Sequence, residues 1–263
     1  MTFLGFDRRD ARTVLNFFRM FLRDRFLGSR LGAVWAVLNP LLMLGTYTYV
    51  FGFVFKTRLP GADSTLAYVV WLIAGYGPWL AITEALNGAA NTVVSNASLV
   101  KNMVFKTECL PLAATLMGLV PLSVSVVFVL VLMTVDGNMP TWHLLAVVPG
   151  VMLMFAFLGA VAIGFSALTV VVRDFSVILP TLLMAALFVS PVFYPPETIP
   201  RLLRAWANWN PLYLMAEAIR LPLVYHRLLP MQQWLYMLAL TAVIGLFNLY
   251  VFRRAKGGFA SML

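Results

Sequence analysis

An all-α membrane protein with six transmembrane helices is expected from three features of this sequence. Hydrophobic residues make up 62% of the 263 positions. Charged residues make up only 11%, whereas a soluble domain usually carries about 25%. Six long stretches contain no Asp, Glu, Lys or Arg. Too little polar surface remains for water, so lipid must surround most of the chain.

The charge-free stretches define the expected spans. A helix needs roughly 20 apolar residues, at about 1.5 Å each, to cross about 30 Å of hydrocarbon. Backbone groups in lipid must bond within their own segment, and these stretches are apolar on every face, so helices are expected rather than strands. In the fourth stretch, Ala156, Ala160 and Gly164 recur at every fourth position, which favours close helix packing. The stretches are 31–55, 64–83, 109–135, 144–172, 175–196 and 228–252.

Six spans place both chain ends on one side of the membrane, and the basic residues predict which side. Cytoplasmic loops are enriched in Lys and Arg, so the side with more of them is expected to face the cytoplasm. The side of the two termini carries thirteen, namely Arg8, Arg9, Arg12, Arg19, Arg23, Arg25, Arg30, Lys101, Lys106, Arg173, Arg253, Arg254 and Lys256. The other side carries six, namely Lys56, Arg58, Arg201, Arg204, Arg220 and Arg227.

Residues 1–30 are expected to lie at the cytoplasmic surface, outside a transmembrane domain of 31–263. Within them, residues 11–26 predict an amphipathic helix, because basic and apolar side chains separate at helical spacing. Its polar face carries Arg12, Asn16, Arg19 and Arg23, and its apolar face carries Val14, Phe17, Phe18, Phe21 and Leu22. A helix of this kind suits lipid headgroups. A helix packed on a partner subunit is the alternative.

The segment 195–230 is expected to lie outside the cell between spans five and six. It is rich in Trp, Leu and Pro, and Asn210-Pro211 predicts a break between two short helices over 200–208 and 212–221. Each helix is too short to cross a membrane. The pattern allows a short re-entrant helix pair that dips into the outer leaflet, and equally a folded external cap.

No catalytic constellation is found. His143 and His226 lie near the external ends of spans, with no cysteine or paired carboxylate beside them, so no metal site is expected. A single cysteine, Cys109, excludes an internal disulfide and a cysteine metal cluster. The nucleotide-binding pattern G-x-x-x-x-G-K-[ST] does not occur. We therefore expect no enzyme activity on this chain, and any ATP hydrolysis is expected on another subunit.

The charged residues also argue against two other classes of protein. The net charge is +9, but the basic residues flank apolar runs, which is typical of topology signals and headgroup contacts rather than nucleic-acid binding. The expected span cores hold no ionisable residue, which disfavours a proton or sodium relay. Glu84 lies at the end of the second run, and Glu217 lies in the external segment.

Aromatic side chains are concentrated in the first two spans, and many lie toward their external ends. An interfacial belt explains this distribution without any function. A path on which sugars stack is the functional alternative, because aromatic faces contact the C–H surfaces of many sugars. The residues are Trp35, Tyr47, Tyr49, Phe51, Phe53, Phe55, Tyr68, Trp71, Tyr76 and Trp79.

Four ordered motifs extend over nearly the whole chain. The first is RFLGSRLGAVWAVLNPLLMLGTYTYVFGFVF (25–55), with the marker residues Arg25, Gly28, Leu31, Gly32, Trp35 and Pro40. The others are NASLVKNMVFKTECLPLA (96–113), VVVRDF (170–175), and SPVFYPPETIP followed by NWNPLYLMAEAIR (190–220). Together they resemble the permease subunits of polysaccharide ABC exporters, in the O-antigen and teichoic-acid branch of the type-two ABC exporters, which is related to the capsule exporters. The chain departs from the family at Phe105-Lys106-Thr107, where an aromatic residue, Pro and Arg are frequent.

The resemblance implies a homodimer in the bacterial inner membrane that carries two copies of a separate ATPase, with ATP and Mg bound to that ATPase. It implies that the connection 95–108 seats in a groove of the ATPase and that the N-terminal helix makes a second contact near residues 8–19. The coupling residues carried over by resemblance are Ser95, Leu99, Lys101, Phe105, Lys106 and Glu108.

The resemblance also implies a polymer, attached to a polyprenyl diphosphate, that passes between the two protomers. The stacking residues would be Tyr47, Tyr49, Phe51, Tyr76 and Trp79. Arg25 and Arg30 would meet the diphosphate as cations at the cytoplasmic entrance; topology and headgroup anchoring explain both equally well. An ABC permease for a small hydrophobic drug or lipid is the first alternative, and a membrane scaffold or enzyme subunit is the second.

Overall fold

The computed structural model describes residues 5–25, 29–55, 65–137, 141–195 and 199–262, and these residues contain helices and turns but no β-strand. Expectations that rest on Phe26, Gly28, Lys56, Arg58, Ser64 and Pro196 concern residues outside these ranges. The α-helices of the described residues are α1 (Arg8–Asp24), α2 (Val34–Tyr47), α3 (Thr65–Ser95), α4 (Ala97–Asn102), α5 (Cys109–Thr115), α6 (Leu119–Val135), α7 (Val147–Val171), α8 (Phe175–Val189), α9 (Arg201–Asn208), α10 (Pro211–Val224) and α11 (Met231–Met262). A π-helical stretch, Thr48–Val54, continues α2.

Within the described residues, five helical segments are long and apolar enough to cross a membrane. Some combine an α-helix with the π- or 3₁₀-helix that adjoins it. The expected fifth span is instead the shorter helix α8, whose 15 residues cover about 22 Å at about 1.5 Å each. The five are Val34–Val54, Thr65–Ser95, Cys109–Val135, Trp142–Val171 and Met231–Phe259.

Helix α3 extends well beyond the run predicted for the second span. The charge-free run stops at Thr83, whereas the helix continues to Ser95. Glu84 interrupts the run but not the helix, because its side chain lies on the open face of α3. Ala85 and Leu86, on the other face, are buried in the core. The charge-free run therefore ends at Thr83, although the helix continues through Glu84 without a break.

Helix α3 is the centre of the fold. Of an apolar 18-residue stretch of α3, 78% is buried, more than in any other candidate span among the described residues. It packs against α5, α6, α7 and α10. Helix α10 also packs on α7, where a Cβ on Gly150 would lie 2.7 Å from the Ala218 carbonyl oxygen. This close approach requires a residue without a side chain.

The small residues of α7 provide a packing surface for α11, as the sequence predicted. Asn248 of α11 donates its side-chain amide to the Ala160 carbonyl at 2.9 Å. A Cβ on Gly164 would lie 2.6 Å from the same asparagine side chain, so the glycine makes room for it. Ala156 is exposed and does not take part. Two of the three predicted positions thus form the contact.

The N-terminal helix α1 has the amphipathic character that the sequence predicted. Asp7 caps it, and the Asp7 backbone N–H donates to the Asp10 carboxylate at 2.6 Å, which completes a capping box. The basic face is exposed and the aromatic face is partly buried. That face packs along α5, and Phe17 lies 5.2 Å from Phe105, measured between ring centres. Helix α1 therefore lies against the start of the third expected span.

The segment expected to lie outside the cell contains two short helices, α9 and α10, on either side of Trp209 and Asn210. Asn210 caps α10 by accepting a hydrogen bond from the Leu212 backbone N–H at 3.0 Å. Its amide nitrogen donates to the Ser190 hydroxyl at 2.9 Å, which ties α10 to the turn that follows α8. The break falls where Asn210-Pro211 predicted it.

Candidate functional site

One face of α3 is open and carries a strip of polar side chains. The rest of this helix is buried from Tyr68 onward. The accessible positions recur three or four residues apart, so they fall on one side of the helix. They are Leu80, Thr83, Glu84, Asn87, Gly88, Asn91, Val94 and Ser95. This strip was not predicted, although polar residues at helical spacing after Thr83 indicate it in the sequence.

Three adjoining cavities border this strip, and we call them together the α3 groove. The first, of about 260 Å³, lies beside Ser95, Thr92 and Gly88 and reaches Arg25. The second, of about 360 Å³, also touches Arg25 and extends to Thr83. The third, of about 230 Å³, begins at Thr83 and ends among aromatic side chains. Arg25 lines the first and second cavities and Thr83 lines the second and third, so the three follow one another along α3.

An ion pair crosses the second cavity. Arg25 follows the last turn of α1, and both terminal nitrogens of its guanidinium contact the Glu84 carboxylate, with Nη2 to Oε2 at 3.0 Å. The arginine side chain is 42% exposed and the glutamate 25%. Asn39 of α2 lines the same cavity. Arg30, the second predicted entrance residue, is exposed in the turn before α2 and does not line these three cavities.

Aromatic rings meet beyond the third cavity. Phe193 is central, with its ring centre 5.3 Å from Tyr47, 5.4 Å from Tyr76 and 6.1 Å from Phe51. Tyr47 and Tyr76 also contact each other, with ring centres 4.4 Å apart. These separations are typical of packed aromatic pairs. We call these four residues the aromatic cluster.

The structure brings three of the five predicted stacking residues into this cluster. Trp79 lines the third cavity but is only 2% exposed and packs in the core. Tyr49 faces away from the cluster and is 61% exposed. Phe193 was missed, because its motif was attributed to the external segment. In the sequence, Phe193 lies between Pro191 and Pro195. Two prolines this close together indicate a turn, and this turn holds the ring in position.

Lys106 ties the connection 95–108 to the N-terminal helix. Its Nζ donates to the Asp10 carboxylate at 2.5 Å and to the Gly5 carbonyl at 2.6 Å. The hydrogen bond from Lys106 is the main cause that lowers the pKa of Asp10 below its usual value. The connection and α1 are therefore held together by charge as well as by the contact between Phe105 and Phe17.

Glu108 ties the same connection to α11. Its carboxylate is only 3% exposed and accepts hydrogen bonds from Arg253 Nε at 3.3 Å and Lys256 Nζ at 3.4 Å. The sixth expected span ended at 252, before these charges, whereas the helix continues to Met262. Its last turns are basic because they approach a buried carboxylate, and the charge-free pattern could not include them.

The most exposed apolar side chains of the connection are Met103 and Val104, which we call its tip. Met103 is 56% exposed and Val104 is fully exposed. They follow the short helix α4, and neither was predicted as a contact residue. Of the predicted residues, Ser95, Leu99 and Lys101 remain accessible. The others turn toward helices of the same chain, namely Phe105, Lys106 and Glu108.

The two histidines lie together on the surface. The Thr141 hydroxyl is 3.2 Å from His143 Nδ1 and 3.0 Å from His226 Nδ1. Over the described part of the chain, no group of three or more His, Cys, Asp or Glu side chains is placed to hold a metal ion.

A family model described as "ABC-2 type transporter" matches residues 13–224. The chain belongs to the ABC-2 type transporter family. The matched region contains the whole α3 groove and the aromatic cluster. It ends at the last residue of α10 and leaves α11 outside.

Several curated relatives of this ABC-2 transporter chain have names that state what they export. It is 29% identical over 178 residues to the O-antigen export system permease protein RfbA of Myxococcus xanthus, covering 68% of this chain and 66% of that protein. It is 24% identical over 244 residues to a Klebsiella pneumoniae protein of the same name, covering 92% and 91%. It is 24% identical over 217 residues to the polysialic acid transport protein KpsM of Escherichia coli, covering 82% of each.

Proposed function

We propose that this chain is the membrane subunit of an ATP-driven exporter that moves a polyprenyl-diphosphate-linked polysaccharide across the bacterial inner membrane. The observation that carries the proposal is the α3 groove, which follows the polar strip of a membrane helix to an aromatic cluster. The names of the relatives, O-antigen export and polysialic acid transport, favour a polysaccharide over a small hydrophobic compound.

The chemistry of the groove suits a glycan. Side chains such as Thr83 and Asn39 offer hydroxyl and amide groups to sugar hydroxyls. The aromatic cluster offers flat apolar faces to the C–H surfaces of the sugar rings. Neither kind of contact requires one particular sugar. A polymer that slides through the groove needs contacts that are not specific for one sugar.

The diphosphate is proposed to enter at Arg25. Arginine pairs with phosphate through two parallel hydrogen bonds, and here it already pairs in this manner with the Glu84 carboxylate. A partly exposed ion pair contributes at most about 1 kcal/mol, so an incoming anion can take the place of Glu84 at little cost. Arg30, exposed in the next turn, would add a second cation near the same entrance.

A second copy of the chain is proposed to complete the path. A polar strip facing lipid would leave hydrogen-bonding groups unsatisfied, at several kcal/mol each by order of magnitude. Only 11% of an apolar 18-residue stretch within Val34–Val54 is buried, so this segment has a broad exposed face that a partner could cover. In the proposed homodimer the two α3 grooves face each other.

The proposed membrane arrangement has six crossings, with both termini in the cytoplasm. Helix α8 makes the fifth crossing together with the turn that follows it. Helices α9 and α10 form the external re-entrant pair, shielded by contacts of α10 with α3 and α7. Two ATPase subunits, which bind ATP and Mg, sit below and contact the connection 95–108 at its exposed tip. The exposure of Met103 and Val104 supports this docking site.

A blocked groove tests the proposal. Thr83 lines both the second and the third cavity, so a tryptophan there narrows the passage between them. We expect Thr83→Trp to lower export of a lipid-linked glycan about tenfold, equivalent to about 1.4 kcal/mol on the transport barrier, while ATP hydrolysis continues. Export and hydrolysis are measured on the complex with its ATPase in proteoliposomes.

Ser123→Trp is the matched control, because Ser123 is exposed on α6 and lies outside the groove. Glycan export at the wild-type rate by Thr83→Trp would show that the α3 groove is not the path. ATP hydrolysis that responds to small hydrophobic compounds but not to lipid-linked glycan would exclude the proposed substrate.

A further inference from the structure

An arginine is completely buried in the external segment. Arg220 of α10 has no exposed surface, and its Nη1 lies 2.8 Å from Glu217 Oε1, one turn earlier on the same helix. A charge removed from water is expensive, and charges inside membrane domains usually serve a function. Replacing a buried ion pair by apolar residues is often neutral or stabilising, so stability alone does not explain this pair.

The core is shaped around the Arg220 guanidinium. Its Cζ lies 4.2 Å from the centre of the Trp71 ring, which places the cation over an aromatic face. A Cβ on Gly75 would lie 1.5 Å from Arg220 Nη2, so only glycine leaves room for this group. Trp71 and Gly75 are both on α3, and Arg220 therefore fixes α10 against the central helix.

The same guanidinium holds the turn that carries Phe193. Arg220 Nη2 donates to the Val192 carbonyl at 2.9 Å. Tyr68 of α3 donates its hydroxyl to the next carbonyl, that of Phe193, at 3.1 Å. Asn210 at the start of α10 bonds to Ser190 of the same turn. The turn 190–194 is thus fastened by two side chains of α10 and one of α3.

The held ring lies at the external end of the α3 groove. Phe193 contacts all three other members of the aromatic cluster, which come from α2, its π-helical continuation and α3. The turn that carries Phe193 is bonded to α10 at both ends of that helix. Loss of the bonds that fasten this turn to α10 and α3 would therefore free Phe193 to leave Tyr47 and Tyr76.

We propose that Arg220 is a positioning residue that holds Phe193 across the external end of the α3 groove by fixing the turn 190–194. The proposal rests on the proposed function in one respect, namely that the groove is a path through the membrane. Arg220 acts through the backbone of Val192 and has no contact with the transported molecule in this role.

Leakage in the resting state tests the proposal. The complex with its ATPase is sealed into vesicles loaded with the self-quenching dye calcein, and dye release is followed without ATP. Tyr68→Phe keeps the ring and removes only the hydroxyl that holds the Phe193 carbonyl. We expect dye release to rise about fivefold, the shift produced by losing one hydrogen bond of about 1 kcal/mol.

Tyr194→Phe is the matched control. It removes a hydroxyl from the same turn, but that hydroxyl donates to the Phe188 carbonyl at 2.8 Å and does not hold Phe193. Its vesicles are expected to stay as tight as wild type. Phe193→Ala is expected to leak more than Tyr68→Phe. Arg220→Lys is expected to leak as well, because lysine keeps the charge but loses the planar group that stacks on Trp71.

Vesicles of Arg220→Lys, or of Tyr68→Phe and Phe193→Ala, that hold calcein as well as wild type would overturn the proposal, and so would equal leakage through Tyr194→Phe. Wild-type ATP hydrolysis by Tyr68→Phe shows that the complex is folded. The dye assay contains no glycan. Increased leakage without glycan export would support the positioning role and reject the proposed substrate, and glycan export with no leakage in any variant would do the reverse.

Discussion

Replacing Gly75 with alanine tests how tightly the core encloses the Arg220 guanidinium. The added methyl carbon would lie 1.5 Å from Arg220 Nη2 and 2.4 Å from its Cζ, far inside van der Waals contact. Arg220 has no exposed surface, so the group has no free space into which to move. We expect it to lose its bond to the Val192 carbonyl and its stacking on Trp71.

The magnitude follows from two comparisons. Overpacking a core costs about 1–3 kcal/mol, and breaking a buried ion pair costs about 3–5 kcal/mol. A loss of about 3 kcal/mol is therefore expected for Gly75→Ala. For a chain of this size that corresponds to a fall of about 6–12 °C in the apparent Tm, read from thermal unfolding of the detergent-solubilised complex.

Gly45→Ala is the matched control, because no atom lies within 4 Å of the position that the added methyl carbon would take on α2. Alanine is the better helix former by about 1 kcal/mol, so this variant is expected to keep or raise the Tm. A double variant gives the sharper test. Once Arg220→Ala has removed the guanidinium, adding Gly75→Ala is expected to cost little. An unchanged Tm in Gly75→Ala, or additive losses in the double variant, would refute the reasoning.

Two further predictions concern the proposed cytoplasmic side. Met103→Asp places a charge on the exposed tip and is expected to weaken binding of the ATPase at least about tenfold, about 1.4 kcal/mol, in a pull-down from detergent. Gln232, which is exposed at the other end of the molecule, provides the control, and Gln232→Asp is expected to bind the ATPase normally. Equal binding by both variants would show that the tip is not part of the interface. The Asp10 carboxylate has a lowered pKa because Lys106 bonds to it, so its contribution to holding α1 is present above the ordinary value of about 3.9 and is lost as the pH falls through the lowered pKa. Protease cleavage of α1 is expected to increase over that acidic range in wild type, and a pH response equally large in Asp10→Asn would contradict this assignment.

The sequence predicted the helical spans well where lipid or core alone determines the residues. The run 109–135 coincides with Cys109–Val135, and 144–172 differs from Trp142–Val171 by one or two residues at each end. In such segments every face is apolar, so a charge-free run and a helix have the same limits. The charge-free runs end before the helices α3 and α11 do, because these helices continue past Glu84 and Arg253. Each of those charges has a partner in the fold, and a count of charges cannot reveal a partner.

The candidate site was predictable only in part. Tyr47, Phe51 and Tyr76 were named from their position in the first two spans, and the structure places them in one cluster. Phe193 could not be assigned to them, because its position depends on a turn held by side chains distant in the chain. Arg220 was counted only as an external charge. Its burial depends on Gly75, which lies 145 positions earlier, and no local pattern joins the two.

The connection 95–108 divides its tasks by position along the chain. Lys106 bonds to α1 and Glu108 bonds to α11, so two residues that are two positions apart contact the first and the last helix of the chain. Met103 and Val104 are exposed and make no such contact. In the proposed complex, mutations at the tip would therefore change the contact with the ATPase and leave the bonds of Lys106 and Glu108 intact, so the choice of ATPase and the stability of the chain could evolve independently.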